Sequence, residues 1–291
     1  MARASVRSFD YALHLDIGLY AGLLREFAEA RGATRTTGRT ADVALAPASG
    51  MASVRLASGE VVAGDLFVDC TAHRALLIGE AMASPSEDCA HWLPCDGVDG
   101  TRGRAARAPH PGRRGRGRVA VAHPAVPLHR PRLCLRQPLP RQGRGAAAAA
   151  GRVGRPPDAA PRLTRFRPGR RLRAWQGNGV AIGAAGSFVE LLEASGLHLV
   201  QAAIINLLIF FFDKRVDPAL PTEFNRSINA EFDRVRDLLI LRYRLNGRDD
   251  GALWRHCHEE ETPDGLRASL DLFAHDGSLA AGDDGPFAPR H

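Results

Sequence analysis

Lysine is almost missing from this chain. Of its 39 basic residues all but Lys214 are arginine, and alanine, glycine and proline are abundant. That bias has the look of a GC-rich coding sequence. Cysteine is also sparse. Cys70, Cys89, Cys95, Cys134 and Cys257 form no CxxC pair and no zinc-ligand spacing. This argues against a disulfide scaffold and for a reduced, cytoplasmic protein. The opening Met1-Ala2-Arg3-Ala4-Ser5-Val6-Arg7 lacks the apolar core of a secretory signal. No long hydrophobic run is present. The most apolar stretch, Leu197 to Phe212, is interrupted by His198, Gln201 and Asn206. It is short for a membrane span and reads as a buried or interface helix.

Acid is missing from one whole region. Between Gly100 and Asp158 there is no Asp or Glu but there are fourteen arginines, and Ile, Phe, Tyr and Trp are absent as well. The overall charge of +7 and pI of about 9.8 come from this segment. It shows neither helical nor strand periodicity. With so little apolar area to offset its ordering entropy, 101–157 is expected to be disordered. A basic run of this kind can bind DNA or RNA through phosphate charge. It lacks the interleaved aromatics of single-strand platforms, so nucleic-acid binding is read as incidental.

Around that gap the chain has globular character, with 45% hydrophobic residues and enough length for one large or two small cores. The expected fold class is α/β, with a helical C-terminal region. Residues 1–100 read as an α/β region, 158–276 as mostly helical and 277–291 as a loose tail. Asp16 to Arg31 is amphipathic, with Ile17, Tyr20, Leu23, Leu24 and Phe27 on one side and Gly32 as the stop. Strands are expected at Asp42–Leu45, Ala52–Leu56 and Asp65–Cys70, with a turn at Gly59-Glu60. A helix is expected over Ala75–Met82. From Pro221 to Asn246, Phe224, Ile228, Phe232, Val235 and Leu239 recur at spacings of three or four. Asp250–His258 and Pro263–His275 are shorter helix candidates.

The segment most suggestive of chemistry runs from Gly186 to Gly196, between a strand-like Val180-Ala181-Ile182-Gly183 and the long apolar helix. A carboxylate at such a corner lies beside free helix N–H groups that can hold an anion. A capped helix start with surface glutamates gives the same pattern. Asp65 and Asp69 read as polar groups at the ends of a strand rather than an acid–base pair. His256-Cys257-His258-Glu259 reads as a surface cluster and no metal is expected, because adjacent helical residues point to different faces.

Several blocks in order resemble one family, the flavin-dependent halogenases typified by tryptophan halogenase. These are Tyr11-Ala12-Leu13-His14-Leu15-Asp16, Asp65-Leu66-Phe67-Val68-Asp69-Cys70-Thr71-Ala72-His73-Arg74, His91-Trp92-Leu93-Pro94-Cys95-Asp96 and Gly183 to Val200. Phe224-Asn225-Arg226, Arg236-Asp237-Leu238-Leu239-Ile240 and Leu253-Trp254-Arg255 follow. The resemblance covers about residues 11–96 and 160–275. It implies a partial Rossmann-type, FAD-dependent monooxygenase-like fold. Reduced FAD and O2 would oxidise chloride or bromide to hypohalous acid, which halogenates tryptophan or an indole-like ring. A separate flavin reductase would supply FADH2. A homodimer is left open.

The resemblance implies the following roles. Glu193 is the catalytic glutamate, Ser195 and Gly196 stand where the family holds halide, and Gly183 and Ala184 lie against the flavin. Glu190 is read as structural. Thr71-Ala72 replaces the family's Ser-Gly. The chain also departs from the family in four ways. The glycine-rich dinucleotide turn, the catalytic lysine, the Trp-x-Trp-x-Ile-Pro motif and the substrate-covering C-terminal segment are not found, and Lys214 falls too far along to serve as that lysine. These departures imply a chain truncated at both ends and inactive alone. One set of allowed codons for Arg118 to Val126, read one nucleotide later, gives Gly-Trp-Arg-Trp-Arg-Ile-Pro-Leu. A reading-frame slip across roughly 101–155 is therefore expected. The alternatives are a fragment of a related flavin hydroxylase and a basic nucleic-acid-binding module.

Overall fold

The structure, a computed structural model, describes residues 17–46, 50–100, 103–104, 119–121, 128–129, 132–135, 162–190, 195–211, 217–248 and 252–277. Helix α1 (Ile17–Glu29) forms as its periodicity predicts and ends near Gly32, whose φ of +91° is left-handed. Its apolar stripe is exposed: Leu19, Leu23 and Phe27 are more than half accessible. Strands β1 (Thr40–Ala46), β2 (Gly50–Leu56) and β3 (Val61–Ala63) make an antiparallel sheet, with Gly59 (φ +92°) in the second turn.

The compact apolar run yields β4 (Phe67–Asp69). A 3-10 turn at Ala72–Arg74 follows, and then a π-helical segment at Leu76–Ala81 where an α-helix is expected. Next come β5 (Ser86–Asp88) and β6 (Gly97–Gly100). Within 101–157 the described residues are four short strands, β7 (Gly103–Arg104), β8 (Val119–Val121), β9 (Leu128–His129) and β10 (Arg132–Leu135). The rest of the expectation for that stretch lies outside the described residues.

Residues 162–188, expected to belong to a mostly helical region, are strands instead: β11 (Arg162–Arg165), β12 (Gly169–Arg171), β13 (Trp175–Gln176), β14 (Gly179–Ala181) and β15 (Ser187–Phe188). Their frequent glycines and arginines hide a two-residue period. β4 and β14 pair in parallel, with Val68 opposite Val180, and β13 adds to β14 antiparallel. β12 lies between β5 and β15, and β11, β6, β10 and β8 form a further antiparallel sheet.

Four helices then follow as the apolar spacing predicts: α2 (Ser195–Phe210), α3 (Ala219–Arg244), α4 (Ala252–Glu259) and α5 (Asp264–Asp276). Helix α3 is the spine. Its Phe224 and Ile228 pack on Trp175, Val180, Ile182 and Ala203. One turn further, Phe232, Val235 and Leu239 pack on Cys89, Val189 and Leu199. One face of α3 thus joins the β14 strand, the start of α2 and the 89–93 turn. Asn225 adds a clamp, accepting from the Trp175 N–H and donating to its carbonyl, both at 2.8 Å. Among the described residues no helix is long and apolar enough to cross a membrane.

Candidate functional site

The site is built where β14 leaves the core. Its parallel partner β4 ends at Asp69, which is 1% exposed. One Asp69 carboxylate oxygen accepts from the Thr71 N–H at 2.9 Å and from its hydroxyl at 2.6 Å. The other accepts from the N–H groups of Leu77 and Ile78, both at 2.8 Å. Asp69 therefore acts as a side-chain cap for the π-helical turn, satisfying donors that the turn leaves open. The expectation of an end-of-strand polar group agrees with this. Asp65, just before β4, is exposed.

After β14 the chain makes a 3-10 turn at Gly183–Ala185. Gly183 sits at φ +71°, a conformation that a Cβ strains. At Gly186 the restriction is spatial, because a Cβ there would lie 2.8 Å from the Ala181 carbonyl oxygen. These two glycines let the chain reverse tightly against β14 and enter β15. Ala184, Ala185, Gly186 and Ser187 line a cleft of about 450 Å³. Its other walls come from His73, Phe166, Phe188, the β12 residues and Glu87. His73 meets Phe188 edge-on at 4.4 Å between centroids and stacks over Phe166 at 6.0 Å. Partial burial pushes the His73 pKa down, favouring the neutral ring. On the cleft wall, Arg170 is held by Glu87 (2.7 Å) and Asp233 (3.0 Å).

Glu190 follows β15 and is 1% exposed. Among the described residues the groups within hydrogen-bonding reach of its carboxylate are the Cys95 thiol and the Tyr243 hydroxyl, although neither contact has ideal geometry. Cys95 and Tyr243, themselves 3.4 Å apart, lie beside it and favour the charged form. Burial outweighs both and pushes the Glu190 pKa up to about 7. Residues 191–194 lie outside the described residues, and with them the candidate Glu193. Lys214 does too.

Ser195 is the first residue of α2. Ser195 is 2% exposed, and among the described residues its hydroxyl has no hydrogen-bond partner. Ser195 stands at the start of a 16-residue helix, an end that favours anions because its first N–H groups have no intrahelical acceptor. Gly196 is exposed, with open space where a Cβ would stand. His198, one turn in, pairs with Glu231 of α3, and Asn206 accepts from Ser227 at 2.9 Å, so α2 is tied to α3 along its length.

Of the candidates read from sequence, Gly183, Ala184, Ser195 and Gly196 thus flank one strand–turn–helix corner. The reading missed His73, Phe166 and Phe188, which only tertiary packing brings together. It also missed the burial of Glu190. The His256 and His258 rings are directed to different backbone carbonyls, of His91 (2.9 Å) and Asn246 (3.0 Å). Among the described residues no group of three or more metal-ligating side chains occurs.

Comparison with known proteins meets this geometry. A family model described as tryptophan halogenase matches residues 1–291. The chain is 33% identical over 288 residues to tryptophan 7-halogenase RebH of Lentzea aerocolonigenes, covering 91% of this chain and 51% of that protein. It is 32% identical over 290 residues to tryptophan 6-halogenase ThaL of Streptomyces albogriseolus, covering 92% and 52%. Among solved structures, BrvH, a flavin-dependent halogenase from Brevundimonas sp. BAL3, superposes with a TM-score of 0.90 at 34% identity, covering 99% of this chain and 60% of that one. The chain spans about half the length of the curated relatives it matches. With a family-model match over residues 1–291 and relatives above 30% identity, the chain belongs to the tryptophan halogenase family of flavin-dependent halogenases.

Proposed function

We propose that this chain carries the halide-handling corner of a flavin-dependent halogenase acting on tryptophan or an indole-like ring. The observation that carries the reading is the Ser195 hydroxyl, buried and without a partner among the described residues at the N-terminus of α2. Chloride or bromide fits there. The hydroxyl donates to it, the first helical N–H groups supply partial positive charge, and burial strengthens both contacts. Gly196 leaves the helix start uncovered on its outer side.

FAD fits the neighbouring turn in one respect. The left-handed Gly183 and the small Ala184 present backbone without side-chain bulk, so a flat ring system has room to approach. When bound as FADH2, it would supply with O2 the oxidising equivalents that turn halide into hypohalous acid. In this proposal Glu193 stands beside the ring being halogenated, where a carboxylate stabilises the cationic arene and takes its proton. A flavin reductase is the proposed source of FADH2, and the cytoplasm the proposed location.

The test supplies FAD, a flavin reductase, O2, bromide and tryptophan or indole to the chain alone and to the chain mixed with the N-terminal portion of a family relative. A brominated ring found only in the mixture, and lost in Glu193→Gln, supports the reading with a chain inactive alone. An oxygenated product without bromine moves the reading to a hydroxylase. No product in either arm overturns it.

A further inference from the structure

Behind the cleft wall lies a group of oxidisable side chains that the halide corner does not use. Cys95 from the turn before β6, Tyr243 from α3 and Trp254 from α4 belong to one buried cluster and are 1%, 2% and 5% exposed. Phe166 and Phe188 line the cleft and also pack on this cluster, with their own rings 4.9 Å apart. The Cys95 sulfur is 3.4 Å from the Tyr243 hydroxyl, and the Tyr243 and Trp254 rings are 6.0 Å apart. The buried Glu190 carboxylate is within hydrogen-bonding reach of the Cys95 thiol and the Tyr243 hydroxyl. A phenol gives up an electron far more easily when its proton can leave at the same time, and Glu190 is placed to take that proton. We infer that Tyr243 is a redox site, giving one electron to a halogen-centred radical in the cleft and its hydroxyl proton to Glu190.

The step balances. The electron reduces the halogen radical to halide, the Tyr243 O–H bond breaks, and the proton bonds to a Glu190 oxygen. A neutral tyrosyl radical and a neutral acid remain. Burial favours this outcome, because the step removes a negative charge from an apolar cluster instead of creating a positive one. Trp254 is the poorer resting place for the missing electron. Its indole N–H has no acceptor among the described residues, so its oxidised ring would keep both proton and charge. The Arg248 guanidinium also stands 4.7 Å from the Trp254 ring centroid and repels a second positive charge there. Cys95 shares the same proton acceptor, but the phenol spreads the unpaired electron over its ring. Tyr243 so placed draws stray oxidising equivalents away from the reactive corner. That use rests on the halogenase reading, whereas the redox site itself is a property of these side chains alone.

The test exposes the full chain to the dibromide radical anion, made by pulse radiolysis of a bromide solution. Tyrosyl radical is read by its optical absorbance and by paramagnetic resonance after rapid freezing. The chain has three tyrosines, Tyr11, Tyr20 and Tyr243. Wild type is expected to form the radical, and Tyr11→Phe with Tyr20→Phe, which leaves the buried cluster untouched, is expected to keep it. Tyr243→Phe is expected to lose it. Glu190→Gln, which offers no carboxylate to the proton, is expected to cut the yield about ten-fold, as the loss of one hydrogen bond to a charged group would. A signal lost in the Tyr11 and Tyr20 double variant, or kept in full by Tyr243→Phe, overturns the redox site. A lasting indole radical removed by Trp254→Phe overturns the choice of Tyr243. An unchanged yield in Glu190→Gln overturns its role as proton acceptor. Bromination of the aromatic substrate is a separate measurement, so the halogenase reading and this one fail independently.

Discussion

Replacing Glu190 by glutamine isolates a single buried ionisation. In the folded protein burial holds the carboxyl near pKa 7, against an ordinary value of 4.5. The folded state therefore binds the proton more tightly than the unfolded chain. Glu190 costs nothing below about pH 4.5, becomes progressively destabilising between about 4.5 and 7, and stays at its full cost above that. The separation of the two pKa values corresponds to about 3 kcal/mol. Glutamine keeps the shape and removes the ionisation. The assay is urea unfolding of both proteins from about pH 4.5 to 8, followed by tryptophan fluorescence. Trp254 is a useful reporter, since it lies 6.0 Å from Tyr243. Relative to wild type, Glu190→Gln is expected to gain about 3 kcal/mol of stability from the acid end to the alkaline end. Other carboxylates cancel in the difference. A difference that stays flat within about 0.5 kcal/mol refutes the claim that burial governs the ionisation of this carboxyl.

Other positions give further tests. Asp69→Ala strips the cap from four donors and is expected to cost about 3 kcal/mol or more in denaturant unfolding, because the N–H groups of Leu77 and Ile78 are buried. Gly186→Ala drives a Cβ into the Ala181 carbonyl and is expected to cost about 1–3 kcal/mol. Gly196→Ala meets open space and is expected to leave thermal stability unchanged or raise it by up to about 1 kcal/mol. Phe232→Ala empties the centre of the α3 spine and is expected to cost about 3–5 kcal/mol. The nucleotide sequence of the gene tests the frame slip across 101–155: codons that cannot yield Trp-Arg-Trp-Arg-Ile-Pro in the shifted frame over Arg118 to Val126 remove that proposal.

What the sequence made legible were elements whose burial follows their own periodicity. On α3, Phe224, Ile228, Phe232, Val235 and Leu239 all point into the core, as their spacing of three and four requires. The apolar Phe67-Val68-Asp69 run likewise became a strand with a parallel partner. Elements shaped by distant contacts were not legible. Leu76–Ala81 winds as a π-helix because the Asp69 carboxylate captures the N–H groups of Leu77 and Ile78, which no local propensity encodes. Ala72 and Ala75 hold positive φ (56° and 47°) around that turn, at positions where alanine gives no hint of it. The short strands β12, β13 and β15 escape because two or three residues cannot display a period, whereas the strand-like Val180–Gly183 run marks β14. In the site, the family blocks pointed to the corner that carries Gly183 and Ser195, whose roles remain proposals. The cleft of His73, Phe166 and Phe188 was not, since those residues are far apart in sequence and converge only through β12 and the 72–74 turn. α1 shows the opposite case. Its amphipathic pattern gives the correct helix, yet its apolar side is exposed.

The central claim is that the start of α2 holds a halide against the buried Ser195 hydroxyl. Crystals of the chain soaked in bromide test it most directly, through anomalous scattering. The account predicts a bromide peak within hydrogen-bond reach of Ser195 Oγ and the first N–H groups of α2, lost in Ser195→Ala. An empty helix start, with bromide bound only elsewhere on the surface, contradicts it.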